Sequence, residues 1–288
     1  MIPALLMILC ISASTSESIF RKMFANRFGG KGTFLFNAFV TAAAGLFFAL
    51  TSGGLQWEPG ILPYVLLFSF CYATTSATYT LALSCGPLSL STLIFSFSTI
   101  LPTLYGLLLG ESIRVSTFLP GLALLLISLF FTNKPQKNEK ISLRWIIFLT
   151  IATITNGGCS IFQTMQQVAF HEQYKNELMT LSLGLVTVFF LILAFFTGRK
   201  EIKSHLKCCW WQGTLAGICN AVLNLLVMVL RPILGASILF PLFSGGSLVL
   251  AFLVSTFLYK EKLSRWQFIG FVLGIGSVIL LSVKRKPR

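Results

Sequence analysis

The chain has 288 residues, of which 55% are hydrophobic and only 10% are charged, and its mean hydropathy is +0.84. Because about a quarter of the residues in an average soluble domain are charged, this composition excludes an ordinary soluble protein and indicates one embedded in a bilayer. The net charge of +14 comes from short polar stretches and the tail. That distribution favours anionic lipid headgroups as the partner and argues against nucleic acid.

Ten apolar runs approach the length of roughly 17 to 25 residues that a helix needs to cross the hydrocarbon core. Apolar residues follow one another without alternation at 146–151 and at 248–254, which argues against membrane strands. We therefore predict an all-α integral membrane protein with ten transmembrane helices. The runs are 2–20, 34–52, 61–83, 88–109, 116–132, 145–167, 178–197, 209–230, 237–258 and 266–283.

The polar run 133–144 divides the ten predicted helices into five and five. We interpret 1–132 as a first repeat, 133–144 as a linker, and 145–288 as a second repeat with a basic tail. A short motif supports the duplication, because Glu17–Met23 and Cys159–Met165 share Ser-Ile-Phe and a methionine three residues on. A cleaved signal peptide would not be expected to match a later helix, so we predict that the first helix is retained.

Glu17 is an acidic residue inside the first predicted span, close to Ser14 and Ser18. Carboxylates at membrane depth usually face a cavity, where Glu17 would accept a proton or attract a cationic group of a solute. The alternative is that Glu17 reaches the membrane interface or pairs with Arg21, which lies four residues on along the same helix. Both interpretations stay open at this point.

The second and third spans carry fewer candidate binding groups. Asn37 either bonds to a neighbouring helix or lines a pathway. The hydroxyls of the stretch 74–80 can bond back to carbonyls of their own helix. We therefore expect only Tyr79, which has a longer side chain, to reach a solute.

The fourth span has the clearest polar face in the chain. Pro102 in the same span predicts a kink with a freed carbonyl. The face serves either close helix packing or a pathway through the membrane. Its members, spaced at helical intervals, are Ser89, Thr92, Ser96, Thr99 and Thr103.

Polar groups recur in the second half. Asn156, Gln163 and Gln167 share a helix face with Ser160, and the neighbouring pair Gly157 and Gly158 suits a hinge or a close backbone contact. Farther on, Asn220 and Asn224 lie one turn apart, and Ser244 and Ser247 flank two glycines. Small residues four apart, as in 213–217 and 270–274, predict tight helix contacts.

Several chemistries are disfavoured. The seven cysteines form no CxxC motif, so neither a disulfide framework nor a metal site is predicted. His171 and His205 fall in predicted loops, and the sequence has no aspartate. We therefore expect neither an enzyme nor a cofactor.

The ends of the two halves carry a family resemblance. Glu261-Lys-Leu-Ser-Arg-Trp-Gln-Phe-Ile-Gly270, continuing to Gly276, resembles the signature of the ten-helix EamA-like branch of the drug/metabolite transporter superfamily. A looser copy runs from Glu111 to Gly121. Members often have an arginine early in the second span, where this chain has Asn37, so that residue's family role does not transfer.

The resemblance implies two inverted five-helix repeats around a central cavity, and transport of a small organic solute, such as an amino acid or related metabolite or drug, by alternating access. In that family, Glu111 and Glu261 look structural. The physics of repeat-built carriers agrees, since their solutes bind near the midplane between repeats. Our candidate solute-binding residues are Ser14, Glu17, Tyr79, Ser96, Asn156, Gln163, Asn224 and Ser244.

The expected partners are a small-molecule solute, the lipid bilayer, and protons or another solute as coupling species. We expect a multi-pass protein of the cell (inner) membrane. The alternative function is that of a non-transporting membrane subunit or a receptor-like packing protein.

The two indications of sidedness disagree. Counted by predicted loop, 15 basic residues lie on one face of the membrane and 7 on the other, which by the positive-inside rule puts both termini outside the cytoplasm. The family resemblance implies cytoplasmic termini. Both orientations stay open.

Overall fold

A computed structural model of the protein describes residues 2–56, 58–110, 115–132, 142–198, 202–257 and 264–281. Within these ranges the chain forms α-helices and short 3-10 turns, with no strand, so the predicted all-α class is confirmed. Glu111, Glu261, the basic tail and most of the polar run 133–144 lie outside the described residues. The helices are α1 (Ile2–Phe28), α2 (Thr33–Thr51), α3 (Leu62–Cys85), α4 (Leu88–Ser96), α5 (Ile100–Leu108), α6 (Val115–Thr132), α7 (Leu143–Ala169), α8 (Lys175–Gly198), α9 (Ile202–Leu234), α10 (Ala236–Phe257) and α11 (Arg265–Leu281).

Seven helical segments of the described chain are long and apolar enough to cross a membrane by length and composition. They fall in α1, α2, α3, the α4–α5 pair, α7, α8 and α9. Shorter apolar stretches lie in α6 and α10, at Leu119–Ser128 and Ala236–Leu250. Helices of this kind indicate a multi-pass membrane protein.

The prediction that the first span ends near residue 20 is wrong. α1 continues for about two more turns to Phe28, so Arg21 and Lys22 are helical and only 3% and 8% exposed. His205, predicted in a loop, lies in α9 and is also buried. The loop count of basic residues therefore included side chains that do not face an aqueous loop.

The strongest helix contacts join elements from opposite sides of the polar run. α1 packs along α9, α3 along α7, α2 along both α8 and α9, and α6 along α11. The two sequence halves are therefore interleaved in space, and neither half forms a separate bundle. This interleaving brings polar residues of distant segments to the centre of the molecule.

α2 and α8 run antiparallel. The rings of Phe34 and Phe190 lie 6.3 Å apart, and Thr187 Oγ1 donates to Thr41 Oγ1 at 2.8 Å. A methyl group on Gly45 would meet Leu183 Cβ at 3.4 Å. Higher residue numbers on α2 therefore face lower residue numbers on α8.

α6 and α11 exchange a reciprocal pair of hydrogen bonds. Ser128 Oγ of α6 donates to the carbonyl oxygen of Gly270 at 2.5 Å, and Ser277 Oγ of α11 donates to the carbonyl oxygen of Gly121 at 2.7 Å. The serine lies seven residues after the glycine in both helices, so the helices run antiparallel. Each helix thus presents the same motif to the other.

We expect Ser128→Ala and Ser277→Ala to lower the free energy of unfolding by similar amounts, about 0.6 kcal/mol each. Both substitutions remove one interhelical hydrogen bond in apolar surroundings. Unfolding of purified protein in mixed detergent micelles measures the loss. Thr197→Val is the control, because the hydroxyl of the exposed Thr197 bonds, among the described residues, to Leu193 of its own helix. A loss in the control equal to that of the serine variants would contradict the expectation.

Candidate functional site

A cavity of about 120 Å³ lies at the centre of the described helices. Its walls come from α1, α3 and the α4–α5 pair on the first side of the polar run, and from α7, α9 and α10 on the second. Sixteen of its nineteen lining residues have polar side chains, although apolar atoms make up the larger part of its surface, and the surrounding helices are apolar. The lining residues are Ser14, Glu17, Ser18, Arg21, Tyr72, Thr75, Ser76, Tyr79, Thr92, Phe95, Ser96, Ser98, Thr99, Asn156, Asn220, Leu223, Phe243, Ser244 and Ser247.

A buried ion pair forms one wall of the cavity. Arg21 Nε donates to Glu17 Oε1 at 2.8 Å, and the two side chains lie four residues apart on α1. The pairing interpretation from the sequence is confirmed, but Glu17 does not escape to water, because it is 8% exposed. The paired carboxylate also lines the cavity, and its role towards a proton or a solute stays a prediction.

The guanidinium group of Arg21 is held by two further helices. Nη1 donates to Asn37 Oδ1 of α2 at 2.7 Å and to Thr80 Oγ1 of α3 at 2.9 Å. Nη2 donates to Ser76 Oγ of α3 at 3.1 Å. A buried charge is tolerated only when it is paired and hydrogen-bonded, and these contacts meet that condition. Asn37 therefore joins helices and does not line the cavity.

The other carboxylate oxygen of Glu17 is bound from the second half of the chain. Asn220 Nδ2 of α9 donates to Glu17 Oε2 at 3.0 Å. Asn220 Oδ1 accepts hydrogen bonds from Tyr72 OH at 2.8 Å and from Asn224 Nδ2 at 3.1 Å. These two donors fix the orientation of the Asn220 amide, so Asn224 acts on Glu17 indirectly through Asn220.

The polar face of the fourth span lies at a break in the helix. A 3-10 turn, Phe97–Thr99, separates α4 from α5. Its central residue, Ser98, lies four residues before Pro102. Proline lacks the N–H that would bond to the carbonyl four residues earlier, which belongs to Ser98. That carbonyl oxygen would lie 2.8 Å from a methyl group on Gly157. The close backbone contact therefore explains why residue 157 is glycine. α7 continues through Gly157 without a break.

Aromatic rings form the apolar part of the lining. Tyr79 stacks on Phe95 with ring centroids 4.2 Å apart, and its hydroxyl lies 3.4 Å from Ser18 Oγ. Phe243 of α10 and Tyr72 of α3 add further rings to the wall, and Leu223 of α9 adds an aliphatic side chain. The cavity therefore combines hydroxyl and amide groups with a flat apolar surface.

Six of the eight predicted solute-binding residues line this cavity, namely Ser14, Glu17, Tyr79, Ser96, Asn156 and Ser244. The other two do not. Gln163 lies two turns beyond Asn156 on α7, where its Nε2 contacts Met179 Sδ of α8 at 3.8 Å, and Asn224 is bound to Asn220. Binding of a solute by the six residues stays a prediction.

Several lining residues lie outside the predicted set. The hydroxyls of 74–80 were expected to bond to their own helix, yet Thr75 and Ser76 line the cavity. Thr75 Oγ1 lies 2.7 Å from Thr155 Oγ1 of α7. The sequence does contain a signal for the inward face of α3, because Tyr72, Ser76 and Tyr79 fall at i, i+4 and i+7 and so share one face.

Lys22 joins α1 to the end of α3. Its Nζ donates to the carbonyl oxygens of Leu83 and Gly86 at 2.8 and 2.6 Å. A cation at the carboxyl end of a helix satisfies carbonyls that have no partner within the helix. The end of α3 also packs closely against α7, because a methyl group on Gly86 would overlap the ring of Trp145.

Arg231 belongs to a different ion cluster. Its Nη1 donates to Glu172 Oε1 at 2.6 Å, and Lys175 Nζ lies 2.7 Å from Glu172 Oε2. This cluster connects the end of α9 with the α7–α8 loop, in which His171, as predicted, and Glu172 lie. Arg231 is not part of the cavity lining.

In the part of the chain that the structure describes, no three His, Cys, Asp or Glu side chains are grouped so that they would hold a metal ion. The polar groups of the cavity are hydroxyls, amides, one carboxylate and one guanidinium. Such groups bind organic solutes by hydrogen bonds and charge.

Comparison with known proteins adds information on the fold. One solved structure, described only as "Crystal structure of protein", aligns with 96% of this chain and 95% of its own length, with a TM-score of 0.63 and 15% sequence identity. No family model and no curated protein matches the sequence. At this identity the likeness shows a shared fold and carries no activity.

Proposed function

We propose that the protein is a membrane transporter that moves a small organic solute by alternating access through the central cavity. The observation that carries the proposal is the polar cavity itself, which is lined by three helical segments from each side of the polar run and is enclosed by apolar helices. In a bilayer, polar groups at such depth usually mark a solute pathway. The resemblance to EamA-like transporters points the same way.

The proposal includes ten membrane spans arranged as two inverted repeats. Contacts between residues about 148 positions apart support it: Thr41 with Thr187, Tyr72 with Asn220, and Ser96 with Ser244 are separated by 146, 148 and 148 residues. Residues near a two-fold axis meet their own counterparts in this way. The reciprocal bonds of α6 and α11 are a further instance.

The moving units would be mixed bundles and not the two sequence halves. α1 packs on α9 and α10, and α7 packs on α3 and the α4–α5 pair. These two groups are counterparts under the proposed repeat and face each other across the cavity. We infer that they rock against one another while the solute is bound between them.

The proposal puts the protein in the cell membrane as a multi-pass carrier with lipid as its surroundings. It leaves the coupling species as protons or a second solute. Glu17 is the natural proton acceptor, because it is the one acidic side chain in the described cavity lining.

A binding screen followed by a flux assay tests the proposal. Purified protein is screened by thermal shift against amino acids, nucleosides, sugars and cationic drugs, and each radiolabelled binder is then offered to proteoliposomes. Saturable uptake that is absent from protein-free vesicles supports transport. Binding without flux favours the receptor-like alternative and overturns the proposal.

We expect Glu17→Gln to abolish the pH dependence of transport, because the amide cannot gain or lose a proton. The amide keeps the shape of the side chain and can still accept from Asn220 Nδ2, but its NH2 group cannot accept from Arg21 Nε. Initial flux measured between pH 5.5 and 8.5 shows the effect. Glu58→Gln is the control, because Glu58 caps a 3-10 turn outside the cavity; a variant at Glu17 with an unchanged pH profile would reject the proton role.

A further inference from the structure

Four hydroxyl groups on one side of the cavity donate to backbone carbonyls. Thr92 donates to Leu88 O at 2.9 Å, Ser96 to Thr92 O at 2.8 Å, and Thr99 to Ser96 O at 2.7 Å. Ser244 of α10 donates to Ser96 O at 3.2 Å. A hydroxyl has one proton and two lone pairs, so these four groups present acceptor lone pairs to the cavity.

The cation beside the cavity is already engaged. The bonds of Arg21 to Glu17, Asn37, Thr80 and Ser76 use four of the five N–H donors of a guanidinium. Two of these partners, Asn37 and Thr80, lie outside the lining, so part of the guanidinium is directed towards the contact between α2 and α3. A negative group on a solute would find little donor capacity there.

Two further groups add acceptors or need a partner. Asn156 Nδ2 donates to Ser98 Oγ at 2.8 Å, which leaves its carbonyl oxygen Oδ1 for a solute. Ser247 Oγ has no hydrogen-bond partner among the described residues, although Ser247 is only 6% exposed. Buried polar atoms normally find a partner, so an unpaired hydroxyl at a cavity wall points to a group that binds there.

We propose, building on the transport function above, that the cavity selects solutes with several N–H or O–H donors, no anionic group and a flat apolar portion. The donors pair with the acceptor-rich wall and with the carboxylate of Glu17. The apolar portion lies against the rings of Tyr79, Phe95 and Phe243. Carboxylates and phosphates are rejected, because the carboxylate of Glu17 repels their charge and the four hydroxyls of this wall have already given their protons to carbonyl oxygens.

Binding of a matched pair of small molecules tests this selectivity. 2-Phenylethylamine and 3-phenylpropionate have the same ring and a similar chain, but the first ends in donors and the second in anionic acceptors. Titration calorimetry of the purified full-length protein in detergent should give a dissociation constant for the amine at least about tenfold lower than for the carboxylate. An amine that does not bind, or a carboxylate that binds as tightly, overturns the proposal.

Two variants test whether the selectivity comes from the acceptor-rich wall formed by Thr92, Ser96, Thr99 and Ser244. The double substitution Ser96→Ala and Thr99→Val removes two acceptors and keeps the helix, and it should weaken amine binding by about tenfold or more. Thr78→Val is the matched control, because Thr78 makes the same kind of bond to Thr74 O at 2.7 Å but does not line the cavity. If both variants lost the same amine-binding affinity while their melting temperatures without ligand stayed unchanged, the result would contradict a role for the acceptor-rich wall.

Flux separates this proposal from the transport proposal on which it rests. Saturable transport of a carboxylate in proteoliposomes, together with tight carboxylate binding, would overturn the donor selectivity and leave transport standing. Selective amine binding to a protein that moves no screened solute would overturn the transport proposal and leave the donor selectivity standing. The two proposals can therefore be overturned independently of each other.

Discussion

Replacing Arg21 with methionine is expected to lower the free energy of unfolding by about 3 to 5 kcal/mol, the range for removing one partner of a buried ion pair. Methionine has a similar length but no charge. The substitution leaves the carboxylate of Glu17 buried without its cation, and it removes the donors that Asn37, Ser76 and Thr80 accept. Unfolding of the purified variant in mixed micelles measures the loss.

The size of the effect comes from the uncompensated charge, and a second variant separates that cause from lost packing. Adding Glu17→Gln to Arg21→Met removes the stranded carboxylate, so the double variant should recover part of the stability, with a coupling energy of about 1 to 3 kcal/mol. Arg144→Met changes an exposed cation of α7 and should stay within roughly 0.5 kcal/mol of the unmodified protein. A double variant less stable than Arg21→Met alone would show that Glu17 is not the group left unpaired.

The sequence was sufficient to predict the all-α class and six of the nineteen residues that line the cavity, because the helical class and the inward helix faces both follow from periodicity. Polar residues at helical spacing identify the inward face of each helix, and this placed Ser96, Asn156 and Ser244 in the predicted set. Periodicity does not give depth. Asn156 and Gln163 share a face, yet seven residues separate them by about 10 Å along the helix axis, and only Asn156 reaches the cavity.

The ion pair shows a second limit. Charged residues normally mark the end of a membrane helix, so the sequence suggests that the first span stops before Arg21. The helix continues because Arg21 and Lys22 find acceptors on α2, on α3 and at the end of α3. Those partners are 15 or more residues away along the chain, and single-sequence patterns carry no information about such contacts.

The second large effect is expected where α9 crosses α2. A methyl group on Gly217 would overlap the carbonyl oxygen of Val40 and would lie 2.8 Å from Ala43 Cβ. The overlapped atom is backbone of a packed helix and cannot rotate away. We expect Gly217→Ala to lower the free energy of unfolding by about 1 to 3 kcal/mol through overpacking, even though alanine favours a helix over glycine by roughly 1 kcal/mol.

Gly184→Ala is the matched control, since Gly184 is also a helical glycine but has no atom within 4 Å of an added methyl group. That variant should match or exceed the stability of the unmodified protein by up to about 1 kcal/mol. Because α2 also supplies Asn37 to Arg21, separation of α2 from α9 by Gly217→Ala should weaken solute binding as well as stability. Equal behaviour of the two alanine variants would mean that α2 and α9 do not approach closely at Gly217.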